Sequence, residues 1–238
     1  MGTGPGVRFD EVAKRTIDVL ASAALLAVLS PLVVALAIAV KLESRGRVFY
    51  GCRRVGLGGR EFAMLKFRKM RSDASGPALT AVEDARFTRM GAFLAKTKLD
   101  EIPQLWNVLR GQMSLVGPRP EDPGFVELHR EEFEQILRVR PGITGLSQLA
   151  FAKEMEILDP NDRVGDYVRR LLPAKMRLDE LYVARRSLRM YVRILWWTAV
   201  TVVLGHDVAV SRQTGRLNLR RRPRPVRSEA AQMGGVAS

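Results

Sequence analysis

The sequence predicts a mostly helical α+β fold that stands on an N-terminal membrane segment. Three observations lead to this prediction. The uncharged apolar run Val19–Val40 exceeds the about 20 residues that a bilayer-crossing helix needs. Two β-type stretches flank the glycine-rich turn Gly56–Gly59. Helix-type segments separated by proline and glycine dominate the rest of the chain.

The membrane segment carries Ser30-Pro31 near its middle. A proline bends a helix, and the Ser30 hydroxyl can satisfy a carbonyl of the preceding turn. Basic residues such as Lys14 and Lys41 flank both ends, and lysine and arginine favour the cytoplasmic side. A re-entrant segment that bends at Pro31 keeps both flanks on that side. A spanning helix with a tolerated proline also fits, so the residues alone leave both topologies open.

The segments after the anchor are predicted in order. Val48–Val55 and Arg60–Phe67 predict a small β-hairpin around the glycine turn. The following helices are predicted over 84–95, 100–109, 121–138 and 167–204, the last with a break near Pro173. The end of the last helix, 191–204, is apolar, carries Trp196-Trp197 and is too short to span a bilayer. It is interpreted either as an interfacial amphipathic helix beside the membrane segment or as a buried core helix.

Composition and charge limit the function classes. The chain divides into a membrane anchor (1–45), a domain (46–205) and a basic tail (206–238) that we expect to be disordered. The net charge of +14 indicates an anionic partner, and the membrane segment favours anionic lipid or a phosphorylated substrate. No helix-turn-helix or zinc-finger pattern is present, so no nucleic-acid partner is predicted. The single cysteine excludes an internal disulfide.

The adjacent carboxylates Asp100-Glu101 are the sharpest candidate for chemistry. They stand at a predicted helix start, where side chains one residue apart point about 100° from each other. They therefore suit two tasks, one directed at a substrate and the other at a metal ion or a proton. The positive end of the helix would keep Asp100 ionised as a nucleophile. The alternative is structural, with Asp100 as a helix N-cap and Glu101 as a partner of the helix dipole.

Basic side chains near this pair predict a phosphate substrate. Lys66, Arg68 and Lys69 leave the hairpin, and Lys96 and Lys98 precede the carboxylates. Arg119 lies between two prolines, which hold the backbone extended and suit a bidentate phosphate contact. Each charge alone is typical of solvated surface. Together with a carboxylate pair and a membrane anchor, they favour chemistry on a phosphate at the membrane surface.

Several ordered motifs together resemble one family. They are Lys14–Asp18, Ser30-Pro31, Val48–Tyr50, Leu65–Met70, Thr97–Leu109, Gly111–Pro120 and Arg140–Gln148. This set is similar to the bacterial sugar transferases, the monotopic polyprenyl-phosphate phosphoglycosyl transferases. The resemblance covers roughly residues 10–205.

The resemblance implies a reaction and a location. Such enzymes move a sugar-1-phosphate from a nucleoside diphosphate sugar, usually UDP-linked, onto a polyprenyl phosphate and release a nucleoside monophosphate. This is the first membrane step of exopolysaccharide or glycan assembly. The resemblance also implies the re-entrant helix, and a catalytic domain among lipids at the cytoplasmic face of the bacterial inner membrane. A homodimer is compatible with it.

The resemblance also assigns residues. Asp100 matches the nucleophile that forms a covalent phosphosugar intermediate, and Glu101 matches the glutamate associated with Mg²⁺. The substrate-binding candidates are Lys66, Arg68, Lys96, Arg119, Arg140 and Gln148.

The chain departs from the family pattern at two places. Ala95 stands where many members carry an arginine, so Lys96 or Lys98 is expected to cover the phosphate instead. The stretch Leu149–Lys153 replaces the common continuation after Gln148. A second hypothesis, a non-catalytic polybasic membrane adaptor, predicts salt-sensitive binding to anionic lipid that does not depend on Asp100.

Overall fold

One long N-terminal helix, several short helices and small two-stranded sheets make up the described part of the chain. The computed structural model describes residues 5–71, 74, 84–152, 158–159, 162–206 and 208–219. The helices are α1 (Pro5–Glu43), α2 (Arg89–Thr97), α3 (Gln104–Leu109), α4 (Pro123–Leu128), α5 (Arg130–Ile136), α6 (Leu146–Ala150), α7 (Arg163–Asp166), α8 (Leu172–Arg185) and α9 (Leu188–Leu204). The strands are β1 (Phe49–Val55), β2 (Glu61–Phe67), β3 (Ser114–Val116), β4 (Gly142–Thr144), β5 (Val208–Val210) and β6 (Leu217–Leu219). Short 3₁₀ turns cover Leu57–Gly59 and Leu99–Glu101, and a π-helical turn covers Tyr167–Leu171.

Helix α1 contains the apolar run. Its portion 10–43 is long and apolar enough to cross a membrane. The helix continues through Pro31, and the Ser30 hydroxyl donates a hydrogen bond to the Ala27 carbonyl at 2.8 Å. The predicted role of Ser30 in satisfying the preceding turn is therefore confirmed.

The N-terminal part of α1 is fastened to the folded domain by a buried aspartate. Asp18 Oδ1 accepts hydrogen bonds from the Ser114 hydroxyl at 3.1 Å, the Leu115 N–H at 2.8 Å and the Tyr191 hydroxyl at 2.7 Å. These groups belong to β3 and α9. Arg15 adds hydrogen bonds to the last carbonyls of α3.

The C-terminal part of α1 contacts the same domain at another place. Leu36 and Val40 are buried in a cluster with Phe67 of β2 and Leu94 of α2. Between the two contact regions the apolar side chains face outward, as Val28 does with 76% of its surface exposed. Both ends of the apolar run therefore touch one domain, while the middle remains uncovered.

The predicted hairpin is confirmed. Strands β1 and β2 pair antiparallel, with Phe49 opposite Phe67 and Val55 opposite Glu61. Gly58 and Gly59 have φ values of 65° and 78°, a left-handed conformation that glycine adopts at little cost. The hairpin aims the end of β2 at the 3₁₀ turn that carries Asp100 and Glu101.

Parallel strands β3 and β4 form the centre of the main core. They pair Ser114 with Gly142 and Val116 with Thr144. The buried side chains around them come from β2, α3, α6, α8, α9 and both strands of the C-terminal hairpin. A Cβ atom at Gly142 would lie 2.0 Å from the Gly117 nitrogen, so glycine is required for the close approach of the two strand ends. This approach fixes the loop that begins at Gly117.

Several helix boundaries differ from the sequence predictions. The predicted helix 100–109 is a 3₁₀ turn followed by α3, because Pro103 has no N–H to continue the ladder. The helix 84–95 begins only at Arg89, where the Thr88 hydroxyl caps it. The segment 121–138 is two helices separated at His129. The last long helix breaks at Ser187, not at Pro173, which lies in the first turn of α8 where a missing N–H costs little.

The C-terminal elements also differ from expectation. Helix α9 buries Tyr191 and leaves Trp196 68% exposed, so it has one packed face and one uncovered apolar face. Residues 208–219 form an antiparallel hairpin that buries Val208 and Leu217 in the main core. This stretch therefore packs on the domain and does not belong to the expected disordered tail. The remainder of that tail, 220–238, lies outside the described residues.

Candidate functional site

Two lysines from the end of the hairpin meet the two adjacent carboxylates. Lys66, in β2, donates a hydrogen bond to Glu101 Oε1 at 2.9 Å. Lys69, two residues beyond the strand, places its Nζ atom 2.9 Å from Asp100 Oδ2. The site therefore contains two neighbouring ion pairs, each joining the hairpin to the 3₁₀ turn.

Asp100 is buried and chemically unusual. Its residue surface is 1% exposed, yet neither carboxylate oxygen accepts a hydrogen bond of ordinary geometry from the described residues. The Lys69 ammonium lies close enough to balance its charge. The structural alternative, with Asp100 as an N-cap, is wrong, because its side chain caps no N–H group. A carboxylate with a nearby cation and unused lone pairs suits a nucleophile.

Glu101 is held in its ionised form. Burial, the largest single effect, raises the pKa of its carboxyl group, but the charge and hydrogen bond of Lys66 together with the charges of Arg119 and Lys98 outweigh it, and the pKa falls to about 2. Its Oε2 atom accepts no hydrogen bond from the described residues and is open to a further ligand. Glu101 is therefore a charged oxygen ligand at neutral pH.

The donor set around Glu101 fits a weakly held magnesium ion. Within the described ranges no cluster of three or more metal-ligating side chains exists. Mg²⁺ is commonly bound through one or two carboxylates together with substrate phosphates and several waters. Glu101 beside Asp100 matches that arrangement, and it does not match an all-protein metal cage.

A left-handed residue connects α2 to the 3₁₀ turn of Asp100 and Glu101. Lys98 has φ 60°, and it is the one non-glycine residue with positive φ among those the structure describes. It ends α2 and begins the turn of Asp100 and Glu101. Such a conformation costs roughly 1–2 kcal/mol for a residue with a Cβ atom. The sharp bend therefore carries strain next to the carboxylate pair.

Arg119 lies on a loop that is held in place by a series of buried polar side chains. Its Nε atom lies 3.8 Å from Glu121 Oε1, and its charge helps to lower the pKa of Glu101. Glu121 is buried and accepts a hydrogen bond from the Tyr167 hydroxyl at 2.7 Å. Lys175, also buried, donates to the same hydroxyl at 3.3 Å. This series of contacts, from Arg119 through Glu121 and Tyr167 to Lys175, therefore connects the Arg119 loop to α8.

Asp179, on α8, is a second buried acidic side chain in this region. Its Oδ1 atom accepts a hydrogen bond from the Ser147 hydroxyl at 2.7 Å. Burial raises the pKa of Asp179 to about 7, against the Ser147 hydrogen bond, and the charge of Glu121 adds to the rise. Helix α8 therefore contributes a buried carboxyl group with a raised pKa, which is hydrogen-bonded to Ser147 at the start of α6.

The other predicted binding residues mostly contact backbone carbonyls. Arg68 donates to the carbonyls of Ser44 and Arg45, each at 2.7 Å, at the end of α1. Arg140 Nε donates to the Gly111 carbonyl at 2.9 Å. Gln148 Nε2 donates to the carbonyls of Gly117 and Gly142, at 3.4 and 3.2 Å, and so steadies the Arg119 loop. Lys96 is exposed on α2.

The structure thus unites some of the predicted residues and adds others. Asp100, Glu101 and Lys66 lie together, and Arg119 acts on Glu101 through its charge. Sequence reasoning placed Lys69 in the basic segment without giving it a separate role, and it missed Glu121, Tyr167, Lys175 and Asp179. Lys175 and Asp179 are four residues apart, which is also the spacing of an ordinary ion pair on a helix surface. The sequence pattern therefore did not indicate that these two residues are buried.

Comparison with known proteins identifies a matching family. The sequence profile described as "Bacterial sugar transferase" matches residues 9–205. This range includes both carboxylates, both lysines and the Arg119 loop.

Three relatives illustrate the match. A UDP-glucose:undecaprenyl-phosphate glucose-1-phosphate transferase of Xanthomonas campestris pv. campestris is 40% identical over 209 residues, which is 83% of this chain and 40% of the relative. A UDP-N-acetylgalactosamine-undecaprenyl-phosphate N-acetylgalactosaminephosphotransferase of Aeromonas hydrophila is 36% identical over 197 residues, 81% of this chain and 44% of the relative. The exopolysaccharide production protein PSS of Rhizobium leguminosarum bv. phaseoli is 38% identical over 205 residues, 81% of this chain and 96% of the relative. The chain thus spans about two fifths of the first two relatives and nearly all of the third.

Proposed function

Because the chain belongs to the bacterial sugar transferase family, we propose that it transfers a sugar-1-phosphate from a nucleoside diphosphate sugar to a polyprenyl phosphate. The names of the relatives support undecaprenyl phosphate as the acceptor and a UDP-sugar as the donor. The product would be the first lipid-linked intermediate of exopolysaccharide or glycan assembly, in keeping with the length-matched relative.

The proposed reaction has two balanced steps at Asp100. In the first, an oxygen of its carboxylate attacks the phosphorus that carries the sugar. The bond from that phosphorus to the bridging oxygen breaks, and the nucleoside monophosphate leaves with the electron pair. In the second, a phosphate oxygen of the lipid attacks the same phosphorus, and the carboxylate of Asp100 leaves. Neither step requires a proton, so two ionised nucleophiles act in turn.

The main obstacle in this reaction is repulsion between anions. A carboxylate and a lipid phosphate must each approach an anionic phosphorus. Lys66 and Arg119 place positive charge beside the pair, and preorganised charges of this kind lower the barrier in a site with little water. Glu101 would hold a magnesium ion, which when bound neutralises the diphosphate oxygens.

The single observation that carries this proposal is the state of Asp100. It is buried, faces an ammonium group and accepts no hydrogen bond of ordinary geometry from the described residues. Hydrogen bonds would stabilise the carboxylate and occupy the lone pairs that a nucleophile needs. Its neighbour Glu101 is ionised and suited to a metal-bound diphosphate.

We further propose that α1 enters the membrane from the cytoplasmic face and returns to it. Both ends of the apolar run contact the same folded domain, through Asp18 near one end and Val40 near the other. A segment that crossed the bilayer would carry one of these ends to the far side. The uncovered apolar face of α9, with Trp196, would then rest among interfacial lipids.

The nucleophile is tested by trapping the intermediate. Purified protein is mixed with Mg²⁺ and a panel of nucleotide sugars without acceptor, and the peptide containing Asp100 is analysed by mass spectrometry. We expect one sugar-phosphate on Asp100 and one equivalent of released nucleoside monophosphate, and neither with Asp100→Asn. Lipid-linked product formed without an adduct at Asp100 would refute the assignment. Salt-sensitive vesicle binding without any nucleotide release would favour the adaptor hypothesis.

The topology is tested by labelling introduced cysteines. In a Cys52→Ser background, single cysteines at Asp10 and Arg47 are treated in intact cells with a membrane-impermeant maleimide. We expect protection of both positions and labelling of both after the cells are opened. Labelling of only one position in intact cells would indicate a spanning helix.

A further inference from the structure

We propose that Lys69 is a catalytic residue whose ammonium group pairs first with the free Asp100 carboxylate and then with the phosphoryl group transferred to it. This inference rests on the proposed function, since it assumes that Asp100 is the nucleophile. The motif resemblance assigned no role to Lys69, and the expected substitutes for the missing arginine at Ala95 were Lys96 and Lys98.

The position of the amine supports this role. Lys69 Nζ lies 2.9 Å from Asp100 Oδ2, and among the described residues it is the one cation within 4.0 Å of that carboxylate. The Lys69 side chain is 22% exposed whereas that of Asp100 is 2% exposed, so Lys69 is the more accessible member of the pair. A phosphorus atom that bonds to an Asp100 oxygen would lie close to this amine, because the two groups are 2.9 Å apart.

The backbone of Lys69 is held tightly. Its carbonyl accepts a hydrogen bond from the Thr88 N–H at 3.0 Å. A Cβ atom at Gly91 would lie only 1.9 Å from the same carbonyl oxygen, so α2 packs directly against it. The ammonium group also lies 5.7 Å from the centre of the Phe87 ring. Lys69 therefore reaches Asp100 from a fixed base, and little of its position depends on substrate binding.

The two lysines of the site have different tasks. Lys66 forms a well-directed hydrogen bond with Glu101, whose ionised state it maintains. Lys69 Nζ lies 2.9 Å from Asp100 Oδ2, an ion pair whose angles fall outside those of an ordinary hydrogen bond. When the Asp100 oxygen bonds to phosphorus, the carboxylate loses its charge and the nearest negative charge is on the new phosphoryl oxygens. The ammonium group needs to move only slightly to pair with them.

The test measures the first half-reaction. The rate of nucleoside monophosphate release is followed in single turnover, with the donor sugar and Mg²⁺ and without acceptor. Removing a charge that stabilises a developing anion typically costs about 10²–10³-fold. We expect a loss in this range for Lys69→Met and a rate near that of the unmodified protein for Arg138→Met, which removes an exposed charge in the turn after α5.

Chemical rescue separates charge from structure. In a Cys52→Ser background, Lys69→Cys is folded first and then alkylated with 2-bromoethylamine, which restores an ammonium group, or with iodoacetamide, which adds a neutral group. We expect at least about 10-fold recovery with the amine alone. This arm also decides the case in which Lys69→Met fails to fold.

The outcomes distinguish the two proposals. Lys69→Met within threefold of the unmodified protein, or equal recovery with both reagents, would overturn the catalytic role of Lys69 and leave Asp100 as the nucleophile. Unimpaired release by Asp100→Asn, with conversion of the amide excluded, would overturn the proposed function itself.

Discussion

Two buried aspartates in this protein differ in almost every contact. Asp18 and Asp100 are 3% and 1% exposed. Asp18 Oδ1 accepts three hydrogen bonds, from groups of β3 and α9, whereas Asp100 accepts none of ordinary geometry from the described residues and faces only the ammonium of Lys69. Burial therefore does not distinguish these two carboxylates, but the use of their lone pairs does.

Asp18 and Asp100 have opposite effects on the stability of the fold. Three hydrogen bonds compensate Asp18 for the loss of water and fasten α1 to the core. Asp100 has a single ionic partner, and a buried charge with so little compensation costs stability. The fold tolerates that cost at the site, where an uncommitted carboxylate is useful, and avoids it where the helix is attached.

The largest expected difference comes from replacing each aspartate by alanine. Asp100→Ala should abolish transfer, by at least about 10⁴-fold, because the nucleophile is lost, and should leave the melting temperature unchanged or higher. Asp18→Ala should destabilise by about 3 kcal/mol, because the buried Ser114 and Tyr191 hydroxyls lose their acceptor. Transfer assays and thermal unfolding in one detergent measure both effects. An Asp18→Ala protein as stable as Asp100→Ala would contradict the comparison.

The sequence carries a clearer signal for Asp100 than for Asp18. The pair Asp100-Glu101 was identifiable because adjacent carboxylates within a long motif carry a local chemical signal. The hairpin was identifiable because β-type stretches flank a glycine turn. The sequence does not indicate the anchoring role of Asp18, because its three hydrogen-bond partners are about a hundred or more positions away in the chain.

The basic residues show why the sequence did not predict the other contacts of the site. Lys66 and Lys69 occur in one short basic segment, and only the crossing of β2 over the 3₁₀ turn assigns each to its carboxylate. Arg68 and Arg140 were predicted to bind phosphate, but they donate to backbone carbonyls near helix ends, which need partners. No local pattern states which carbonyls a guanidinium will meet.

Asp179 extends the comparison to a buried carboxyl group that titrates. In the unfolded chain its pKa is near the ordinary value of 3.8. In the folded protein its pKa is raised to about 7, chiefly by burial. Between these values the folded state binds more protons than the unfolded state, so stability falls as the pH rises. We expect a loss on the order of 2 kcal/mol between pH 5 and 7.

Asp179→Asn should remove this dependence. The amide keeps an acceptor for the Ser147 hydroxyl but cannot ionise. Thermal unfolding measured from pH 4.5 to 7.5 should therefore give a flatter curve for the variant than for the unmodified protein. Parallel curves would mean that Asp179 does not titrate in this range.

The smallest expected effect concerns the backbone beside Asp100. Lys98→Gly removes the strain of a left-handed residue, which outweighs the extra entropy of glycine in the unfolded chain, so we expect a gain of about 0.5 kcal/mol. Lys96→Gly is the matched control, because it removes the same charge but places glycine inside α2, at a cost of about 1 kcal/mol. Thermal unfolding compares the two. If both variants lose stability equally, the bend at Lys98 is unstrained. If Lys98→Gly alone gains stability, backbone strain and a buried carboxylate with a single ionic partner occur together at the turn of Asp100 and Glu101, as expected at a site where the proposed function requires both.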